Sequence, residues 1–410
     1  MTKLLVNGGV SLNGEITPSG SKNAALPIIF STLITKGIST IKNVPDITDV
    51  DRAISLIEAF GARVTRIGNV LTVDTRVLHY TKPNEDTVSS LRASSYLLGA
   101  CLSRFGVFNL SEFGGCNFCN RPIDMHLDAA KCFGAMIDGD LIYADELCGA
   151  KIHLKKRSVG ATVNALIMAA CAHGESEITG AANEPHVKNL VQYLCSAGAS
   201  VELSNSTIKV YGGSLHGGTV TLVPDMIEAG TYMLLGALLG GRIYVKGFGD
   251  LELEKFAEPY LRSGYEMVER DGCHAMIGRS KVKITVKTAP HPGYPTDLQP
   301  LAAPIMAANL GGTIMENVWE SRFSYLNSLS SFGIECDVFS ARASILSSNI
   351  RNGKSIAPDL RGGASVLMCA LYAHGESEIS NAELILRGYS DIWNKLKSLG
   401  ANIEVIKKEN

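Results

Sequence analysis

Apolar and polar residues recur in a fixed order along the chain. Mainly apolar stretches with helical spacing, such as "NALIMAACA" and "TYMLLGALL", are associated with glycine turns and with segments in which apolar and polar residues alternate. "GESEITGA", "GRIYVKGF" and "GESEISNA" are alternating segments, and each predicts a strand with one buried face. A second helix, a turn of glycine plus a small residue and a further strand complete the order. The pattern therefore predicts an α/β protein.

This order of elements occurs six times. The copies begin near residues 20, 91, 160, 229, 296 and 360. They close at Gly61, Gly134, Gly198, Gly264, Gly333 and Gly400, so successive closing turns are 64 to 73 residues apart. A regular period indicates one supersecondary unit used six times, and this period is longer than that of the common solenoids. The alternative is a set of six unrelated helix–strand stretches, which the shared order and spacing argue against.

The first helix of a copy differs from an ordinary surface helix. "NALIMAACA" and "TYMLLGALL" are apolar nearly all round, which predicts burial on most sides. Buried helices surrounded by sheets form an inside-out α/β arrangement, and six units suggest two domains of three. We expect the break near residues 215–229, which are rich in glycine and contain a proline. The pattern leaves open which domain the N-terminal strand "KLLVNGG" joins.

Composition excludes several classes of protein. A chain of 410 residues is too long for one ordinary core, and 46% hydrophobic with 19% charged residues is typical of a soluble globular protein. The net charge of −2, with positive charges placed singly, argues against a nucleic-acid partner. No apolar run reaches the roughly 18 residues that span a bilayer, and the N-terminus lacks the pattern of a signal peptide. Ten cysteines without a framework spacing indicate reduced thiols and a cytoplasmic protein.

Charged and polar residues stand where the first helices open. They are Lys22, Asn23, Arg92, the run 158–160, Asp297, Asp359 and Arg361. The N-terminus of a helix has unpaired N–H groups and a positive dipole end, so it favours anions, and added Lys and Arg side chains strengthen that preference. For any one of these residues the alternative is a solvated helix cap. Their recurrence at the same phase of successive copies favours an anion-binding pocket.

The order of motifs along the whole chain resembles one family. The motifs are "GSKNAALPI", "LRAS", "GGCNFCNRPIDMH", "SVGAT", "TAPHPGYPTDLQ", "ESRF", "PDLR" and "RGY". Together they resemble the UDP-N-acetylglucosamine 1-carboxyvinyltransferases, enolpyruvyl transferases of the EPSP synthase superfamily. The motifs are specific as a set, although none would suffice alone.

The resemblance implies a fold and a reaction. The fold is two inside-out α/β barrel domains of three units each, at 22–228 and at 1–21 plus 229–410, with the active site in the cleft between them. The first domain carries a catalytic loop at 112–126. The reaction moves the enolpyruvyl group of phosphoenolpyruvate (PEP) onto the 3′-hydroxyl of UDP-N-acetylglucosamine by addition and elimination. It releases phosphate, needs no cofactor and is the first committed step of peptidoglycan synthesis.

The resemblance also assigns roles to residues. Cys116 matches the loop thiol that donates a proton to PEP, for which a thiol is suited because its pKa lies close to neutral. Asp297 matches the carboxylate at the 3′-hydroxyl, and Lys22 and Arg387 match cations that bind PEP. The other substrate-binding residues that the resemblance implies are Asn23, Arg92, Arg121, Pro122, Ile123, Asp124, Met125, Lys156, Arg157, Ser158, Val159, Val318, Arg322, Asp359 and Arg361.

The loop carries a second thiol, Cys119, three residues after Cys116. A structural zinc site needs four ligands, usually from two such pairs, and the sequence has no second Cys-x-x-Cys, so we expect no metal. We interpret His126 as part of the substrate loop. The sequence departs from the family at Cys119, which replaces a usual glycine, at Asn120, which replaces a usual alanine or serine, and at Arg157, which replaces a usual apolar residue. Residues 340–358 also fit the family pattern poorly, but they carry no site residue.

Other functions remain open at this point. A related transferase acting on another nucleotide would share most of these motifs, because pocket specificity depends on few contacts. The shikimate-pathway enolpyruvyl transferase has the same fold but lacks the cysteine loop. A non-catalytic paralogue that binds a nucleotide sugar is a third alternative, and the intact set of catalytic candidates argues against it. Phosphate release from PEP in the presence of UDP-N-acetylglucosamine distinguishes these alternatives.

Overall fold

The structure is a computed structural model that describes residues 2–82, 88, 91–110, 123–319 and 322–407. It divides into two compact units. The first unit is Gly20–Val223, and the second unit is Met1–Ser19 together with Pro224–Asn410. The division falls inside the stretch 215–229 where a break was expected, a few residues from the domain bounds given above.

The elements follow the predicted alternation of helices and strands. The N-terminal segment, part of the second unit, forms β1 (Thr2–Gly8) and β2 (Asn13–Ile16). The first unit contains α1 (Lys22–Ser31), β3 (Ile38–Lys42), α2 (Thr48–Ala59), β4 (Arg63–Ile67), β5 (Val70–Asp74), α3 (Leu97–Phe105), β6 (Val107–Asn109), α4 (Asp124–Cys132), β7 (Met136–Asp138), β8 (Leu141–Tyr143), β9 (Lys151–His153), α5 (Val159–Cys171), β10 (Glu175–Thr179), α6 (Pro185–Ser196), β11 (Ser200–Ser204), β12 (Thr207–Tyr211) and β13 (Thr219–Thr221).

The second unit continues the same order. It contains α7 (Met226–Leu239), β14 (Arg242–Lys246), α8 (Glu254–Arg262), β15 (Tyr265–Arg270), β16 (Cys273–Gly278), β17 (Ile284–Lys287), α9 (Gln299–Ala308), β18 (Gly312–Met315), α10 (Leu326–Leu329), β19 (Cys336–Phe339), β20 (Arg342–Ile345), β21 (Lys354–Ile356), α11 (Leu360–Tyr372), β22 (Gly375–Ser380), α12 (Ile392–Ser398) and β23 (Asn402–Lys407). Short 3₁₀ helices at Arg92–Tyr96, Thr296–Leu298 and Ala382–Arg387 carry candidate site residues.

The described residues of each unit form three sheets. Those of the first unit have the strand orders β13-β3-β5-β4, β11-β12-β10-β9 and β6-β8-β7, and those of the second unit β21-β22-β1-β23, β15-β16-β14-β2 and β17-β18-β20-β19. Every four-stranded sheet combines one parallel pair with two antiparallel pairs in the same sequence of neighbours. The shared topology is the structural form of the repeat.

The N-terminal strand joins the second unit. Strand β1 lies between β22 and β23, where Leu4 is opposite Ile379 on one side and Val405 on the other. Leu4 and Val6 are fully buried, whereas the residues between and beside them are partly exposed, as an alternating strand requires. Pairing on both sides makes this segment an integral part of the second unit.

The first helices of the copies form the cores. All 14 residues of α7 are buried, and so are 12 of the 13 residues of α11. Helices α7, α9 and α11 pack against one another in the second unit, as α3 does against α5 in the first. Their apolar surface on every side explains this position, because each side meets another helix or a sheet. The inside-out α/β arrangement predicted from the sequence is confirmed.

Glycines close all six copies for a conformational reason. The six closing glycines, which end the second helix of each copy, have φ between 82° and 108°, a region that residues with a Cβ rarely adopt. Glycine is also required where α3 meets α5. A Cβ on Gly99 would lie 2.7 Å from the Asn164 Oδ1 atom, so only glycine permits this approach. Among the described residues, no helix has both the length and the apolar character needed to cross a membrane.

Candidate active site

Part of the predicted site lies outside the described residues. Cys116, Arg121 and Pro122 are in this group, as are Cys119 and Asn120. Their roles therefore remain predictions. The other candidates fall into two groups, one in each unit.

Asp297 lies between two guanidinium groups in the second unit. It belongs to the 3₁₀ helix Thr296–Leu298, which leads into the buried helix α9. Arg322 donates from Nη1 to Oδ1 of Asp297 at 2.8 Å, and Arg361 donates from Nη2 to Oδ2 at 3.3 Å. Both arginine side chains are buried, 5% and 3% exposed, whereas the carboxylate is 29% exposed. The two guanidinium groups therefore orient the carboxylate, while one side of it stays open to solvent.

Arg361 has unused hydrogen-bonding capacity. Within the described part of the chain, its Nη1 atom has no hydrogen-bond partner. Its guanidinium carbon lies 5.1 Å from the ring centroid of Tyr389, which provides a cation–π contact. Burial opposes the charge of Arg361, but Tyr389 and Asp297 outweigh burial and raise its pKa. A buried permanent cation with an unsatisfied N–H is suited to bind an anion.

Asp359 acts on Arg361 through the backbone. It caps the N-terminus of α11, and its Oδ1 accepts the N–H groups of Arg361 at 2.9 Å and Gly362 at 3.0 Å. This cap sets the position from which the Arg361 side chain departs. Arg387 is half-buried at the end of the 3₁₀ helix Ala382–Arg387, two residues before the Tyr389 that contacts Arg361.

A buried carboxylate that the sequence reasoning missed organises the neighbouring turn. Glu316 is fully buried, and its Oε1 accepts the N–H groups of Val318 and Trp319, both at 2.9 Å. Val318, a predicted contact of the nucleotide sugar, is half-buried on this turn. The sequence offers no local signal for Glu316, since a single acidic residue after a strand usually faces solvent.

Lys22 is the central candidate of the first unit. It begins α1, and its Nζ lies 2.6 Å from Oδ2 of Asp49, a carboxylate that is 1% exposed in the first turn of α2. Arg52 approaches the other oxygen of Asp49 at 3.4 Å. The sequence reasoning missed Asp49, which holds the ammonium group at the start of α1. Asn23 follows it in the same turn and is half-buried.

His126 is not part of a loop, contrary to expectation. Helix α4 begins at Asp124, and His126 is buried in its first turn. Its Nδ1 lies 2.8 Å from Nδ2 of Asn164, and the same amide nitrogen donates to the carbonyl of Ser95. Since the amide nitrogen can only donate, Nδ1 accepts and the ring is neutral. Burial, and then the charge of Arg92, lower the pKa of His126 to about 4.

The N-terminus of α5 lies beside this histidine. Ser158 caps the helix by accepting the N–H of Ala161 at 3.3 Å. A Cβ on Gly160 would lie 2.9 Å from the Nε2 atom of His126, so the imidazole packs directly on the first turn. Val159 opens the helix, and Lys156 and Arg157 precede it on the exposed surface. Ile123 and Met125 flank the exposed Asp124 at the start of α4. In the first unit the structure thus brings together Arg92, His126 and the start of α5.

We expect the stability of the protein to fall between pH 6.5 and pH 4. Unfolded His126 takes up a proton near pH 6.5, but the folded residue does so only near its pKa of about 4, so acid favours the unfolded state. His126 alone should lower the free energy of unfolding by about 3 kcal/mol between these pH values, and other titrating groups add their own contributions. Urea denaturation followed by circular dichroism at several pH values measures it. His126→Asn should flatten the dependence, whereas His153→Asn, at an exposed position of β9, should leave it unchanged.

The described residues contain no cluster of three or more His, Cys, Asp and Glu side chains placed to hold a metal ion. Each unit instead presents cations at the starts of buried helices. In the second unit, two guanidinium groups share one carboxylate, which leaves a net positive charge beside a possible base. This arrangement suits the binding of an anionic substrate and the removal of a proton from a hydroxyl group.

The fold and sequence define the class of protein. The sequence model of the EPSP synthase (3-phosphoshikimate 1-carboxyvinyltransferase) family matches residues 6–396 of this chain. The chain therefore belongs to the EPSP synthase family. The crystal structure of the enolpyruvyl transferase NikO from Streptomyces tendae has a TM-score of 0.88 and 26% identity, and the match covers 100% of this chain and 99% of that one. EPSP synthase from Acinetobacter baumannii, at a TM-score of 0.71 and 16% identity, shares the fold.

Curated relatives narrow the class. The UDP-N-acetylglucosamine 1-carboxyvinyltransferase of Halothermothrix orenii is 36% identical over 415 residues, which cover 99% of this chain and 100% of the relative. UDP-N-acetylglucosamine 1-carboxyvinyltransferase 2 of Streptococcus pneumoniae is 37% identical over 420 residues with the same coverage. The resemblance read from the motifs is confirmed, and the chain is an enzyme, a transferase.

Proposed function

We propose that this protein transfers the enolpyruvyl group of PEP to the 3′-hydroxyl of UDP-N-acetylglucosamine and releases phosphate. This reaction is the first committed step of peptidoglycan synthesis. The observation that carries the proposal is the Asp297 carboxylate between Arg322 and Arg361, with Nη1 of the buried Arg361 lacking a hydrogen-bond partner among the described residues. The full-length relatives named for this activity support it.

The second unit supplies the base and an anion site. Asp297 accepts the proton of the 3′-hydroxyl as the sugar oxygen bonds to C2 of PEP. Arg361 and Arg387 bind the negative charges of PEP, and Arg322 keeps the carboxylate oriented toward the acceptor. Fixed cations around a developing anion are preorganised and need no rearrangement during the reaction, which is why each is typically worth a few kcal/mol.

The first unit supplies the proton donor and binds the rest of the anions. Cys116 donates a proton to C3 of PEP during addition, which yields a tetrahedral ketal. In the elimination that follows, C3 returns a proton to the Cys116 thiolate, the C2–O bond to phosphate breaks and the enol ether of the sugar remains. Lys22 and Arg121 bind PEP. Asn23, Arg92, the run 122–125, the run 156–159 and Val318 of the second unit bind the nucleotide sugar.

The proposal also includes a cellular compartment and a set of partners. The distribution of cysteines among apolar helices, such as Cys101 in α3 and Cys369 in α11, supports a reducing compartment, the cytoplasm. Burial raises the pKa of both thiols, so neither competes with a loop thiol as a nucleophile. The partners are the two small-molecule substrates, without a nucleic acid, a membrane or a cofactor.

The test is phosphate release by the full-length protein from PEP and UDP-N-acetylglucosamine. The wild type should release phosphate only when both substrates are present. Cys116→Ser should lose most turnover, and Cys119→Gly should keep it, because only Cys116 matches the family thiol. Release with a different nucleotide in place of UDP-N-acetylglucosamine would point to another acceptor. Binding of the nucleotide sugar without any release would show a non-catalytic protein instead.

A further inference from the structure

Glu316 is a buried carboxylate whose hydrogen bonds, within the described residues, all come from neutral donors. It follows β18 directly and is fully buried. Its Oε1 accepts the hydroxyl of Thr288 at 2.7 Å and the two backbone N–H groups of Val318 and Trp319, and its Oε2 accepts the hydroxyl of Thr296 at 2.9 Å. Within the described ranges, no Lys, Arg or His side chain forms an ion pair with Glu316.

A buried charge without a direct ion pair is costly, so its retention requires a reason. All four neighbours of Glu316 are donors, and an ionised carboxylate is the side chain that only accepts. A glutamine at this position would present an N–H group to at least one of these donors. The environment is therefore specific for the charged group, and not only for a polar side chain of this size.

Glu316 is linked to Asp297 through two groups, the hydroxyl of Thr296 and the guanidinium of Arg322. Thr296 has a single hydroxyl proton, and because a carboxylate cannot donate, that proton points at Glu316. The lone pairs of the hydroxyl are then directed to Arg322, whose Nη1 donates to Thr296 at 2.9 Å. The same nitrogen donates to Asp297 at 2.8 Å.

We propose that Glu316 is a positioning residue for the reacting carboxylate. It sets the direction of the Thr296 hydroxyl, which receives Arg322, which in turn holds Asp297 in the geometry for proton removal. The same side chain holds the turn that carries Val318. This inference rests on the proposed function, in which Asp297 is the base and Arg322 orients it.

Glu316→Gln is expected to reverse the direction of the hydrogen bond between Thr296 and residue 316. The amide oxygen is expected on the side of Thr288, Val318 and Trp319, because three donors converge there. The amide nitrogen then faces Thr296 and donates to its oxygen. The hydroxyl proton of Thr296 must turn away, toward the N–H of Arg322, so two donors meet and Arg322 is displaced from Asp297.

The experiment uses the full chain and four variants. We expect Glu316→Gln to reduce kcat by about 10- to 100-fold, with the KM for UDP-N-acetylglucosamine changed less than about threefold, which is the scale for a misplaced reacting group. Thr296→Val should lose a similar factor, and Thr296→Ser, which restores the hydroxyl, should recover it. The variant with both Glu316→Gln and Thr296→Val should be no worse than Thr296→Val alone, because the two residues act through one relay.

Glu228→Gln is the matched control. Glu228 is also a buried glutamate of the second unit, 1% exposed, but it pairs with Lys395 away from this relay. The Glu228→Gln variant should be less stable than the wild type but should keep the wild-type kcat. A Glu316→Gln variant whose kcat falls no more than that of Glu228→Gln would overturn the proposal, since burial alone would then explain the residue.

A crystal structure of Glu316→Gln gives a readout that does not depend on the substrates. We expect the Arg322–Asp297 contact to open beyond ion-pair distance. If the wild type is inactive with PEP and UDP-N-acetylglucosamine, the proposed function is wrong. The Arg322–Asp297 distance in the variant then still tests whether Glu316 positions Asp297. An unchanged contact in the variant would show that Glu316 does not position Asp297.

Discussion

Asp297→Asn should reduce turnover by about 10²-fold or more while the affinity for UDP-N-acetylglucosamine changes by less than about tenfold, the usual scale for loss of a positioned base. The amide cannot accept the proton of the hydroxyl group. It also leaves Arg322 and Arg361 facing each other without the carboxylate that now lies between them. Steady-state phosphate release gives kcat, and calorimetric titration gives the affinity for the nucleotide sugar.

A second Asp→Asn change controls for the substitution itself. Asp391 lies at the N-terminus of α12 with φ of 52°, a conformation that asparagine also tolerates. Asp391→Asn should therefore keep normal turnover. Near-normal turnover of Asp297→Asn would remove Asp297 from the mechanism, whereas a loss of nucleotide-sugar binding equal to the loss of turnover would make it a binding residue only.

Lys395→Met should destabilise the second unit by about 3–5 kcal/mol, the range for removing one partner of a buried ion pair. Lys395 Nζ contacts Oε1 of Glu228 at 2.5 Å and the hydroxyl of Ser19 at 2.7 Å, and the N–H of Ser19 donates to Oε2 of Glu228 at 2.9 Å. The methionine keeps most of the packing but leaves Glu228 as an uncompensated buried charge. Both tryptophans, Trp319 and Trp393, belong to the second unit, so their fluorescence during urea denaturation reports on this change.

The stability lost by Lys395→Met should increase as the pH rises. Burial raises the pKa of Glu228, and the charge of Lys395 opposes this shift. Without the lysine the pKa of Glu228 in the folded state rises further above its value in the unfolded state. The deficit of Lys395→Met should therefore be small below about pH 4.5 and grow as the pH rises. Lys354→Met, which removes an 83% exposed partner of Glu378, should leave the free energy of unfolding almost unchanged at any pH, because water screens an exposed ion pair. Equal effects of the two substitutions would contradict a structural role for the Glu228 pair.

The sequence alone determined the features that depend on local chemistry. Glycine is needed where a helix ends with a positive φ, so six closing glycines marked six copies of one unit. A helix that is apolar on all sides has to be buried, which α7 and α11 illustrate. The cations and carboxylates at the starts of these helices could be named for the same reason, because the residue before or at a helix start is recognisable from the sequence.

Only the tertiary structure decided which of these groups meet. Lys22 pairs with Asp49 on the next helix, and Asp297 shares its carboxylate with Arg361, 64 residues away. Neither pairing follows from spacing, because it depends on how buried helices of different copies pack. The same holds for Glu316, whose role appears only when its four donors are placed around it, and for His126, which a local reading assigned to a loop. Burial and long-range packing convert isolated polar residues into a relay, and no pattern along the chain records them.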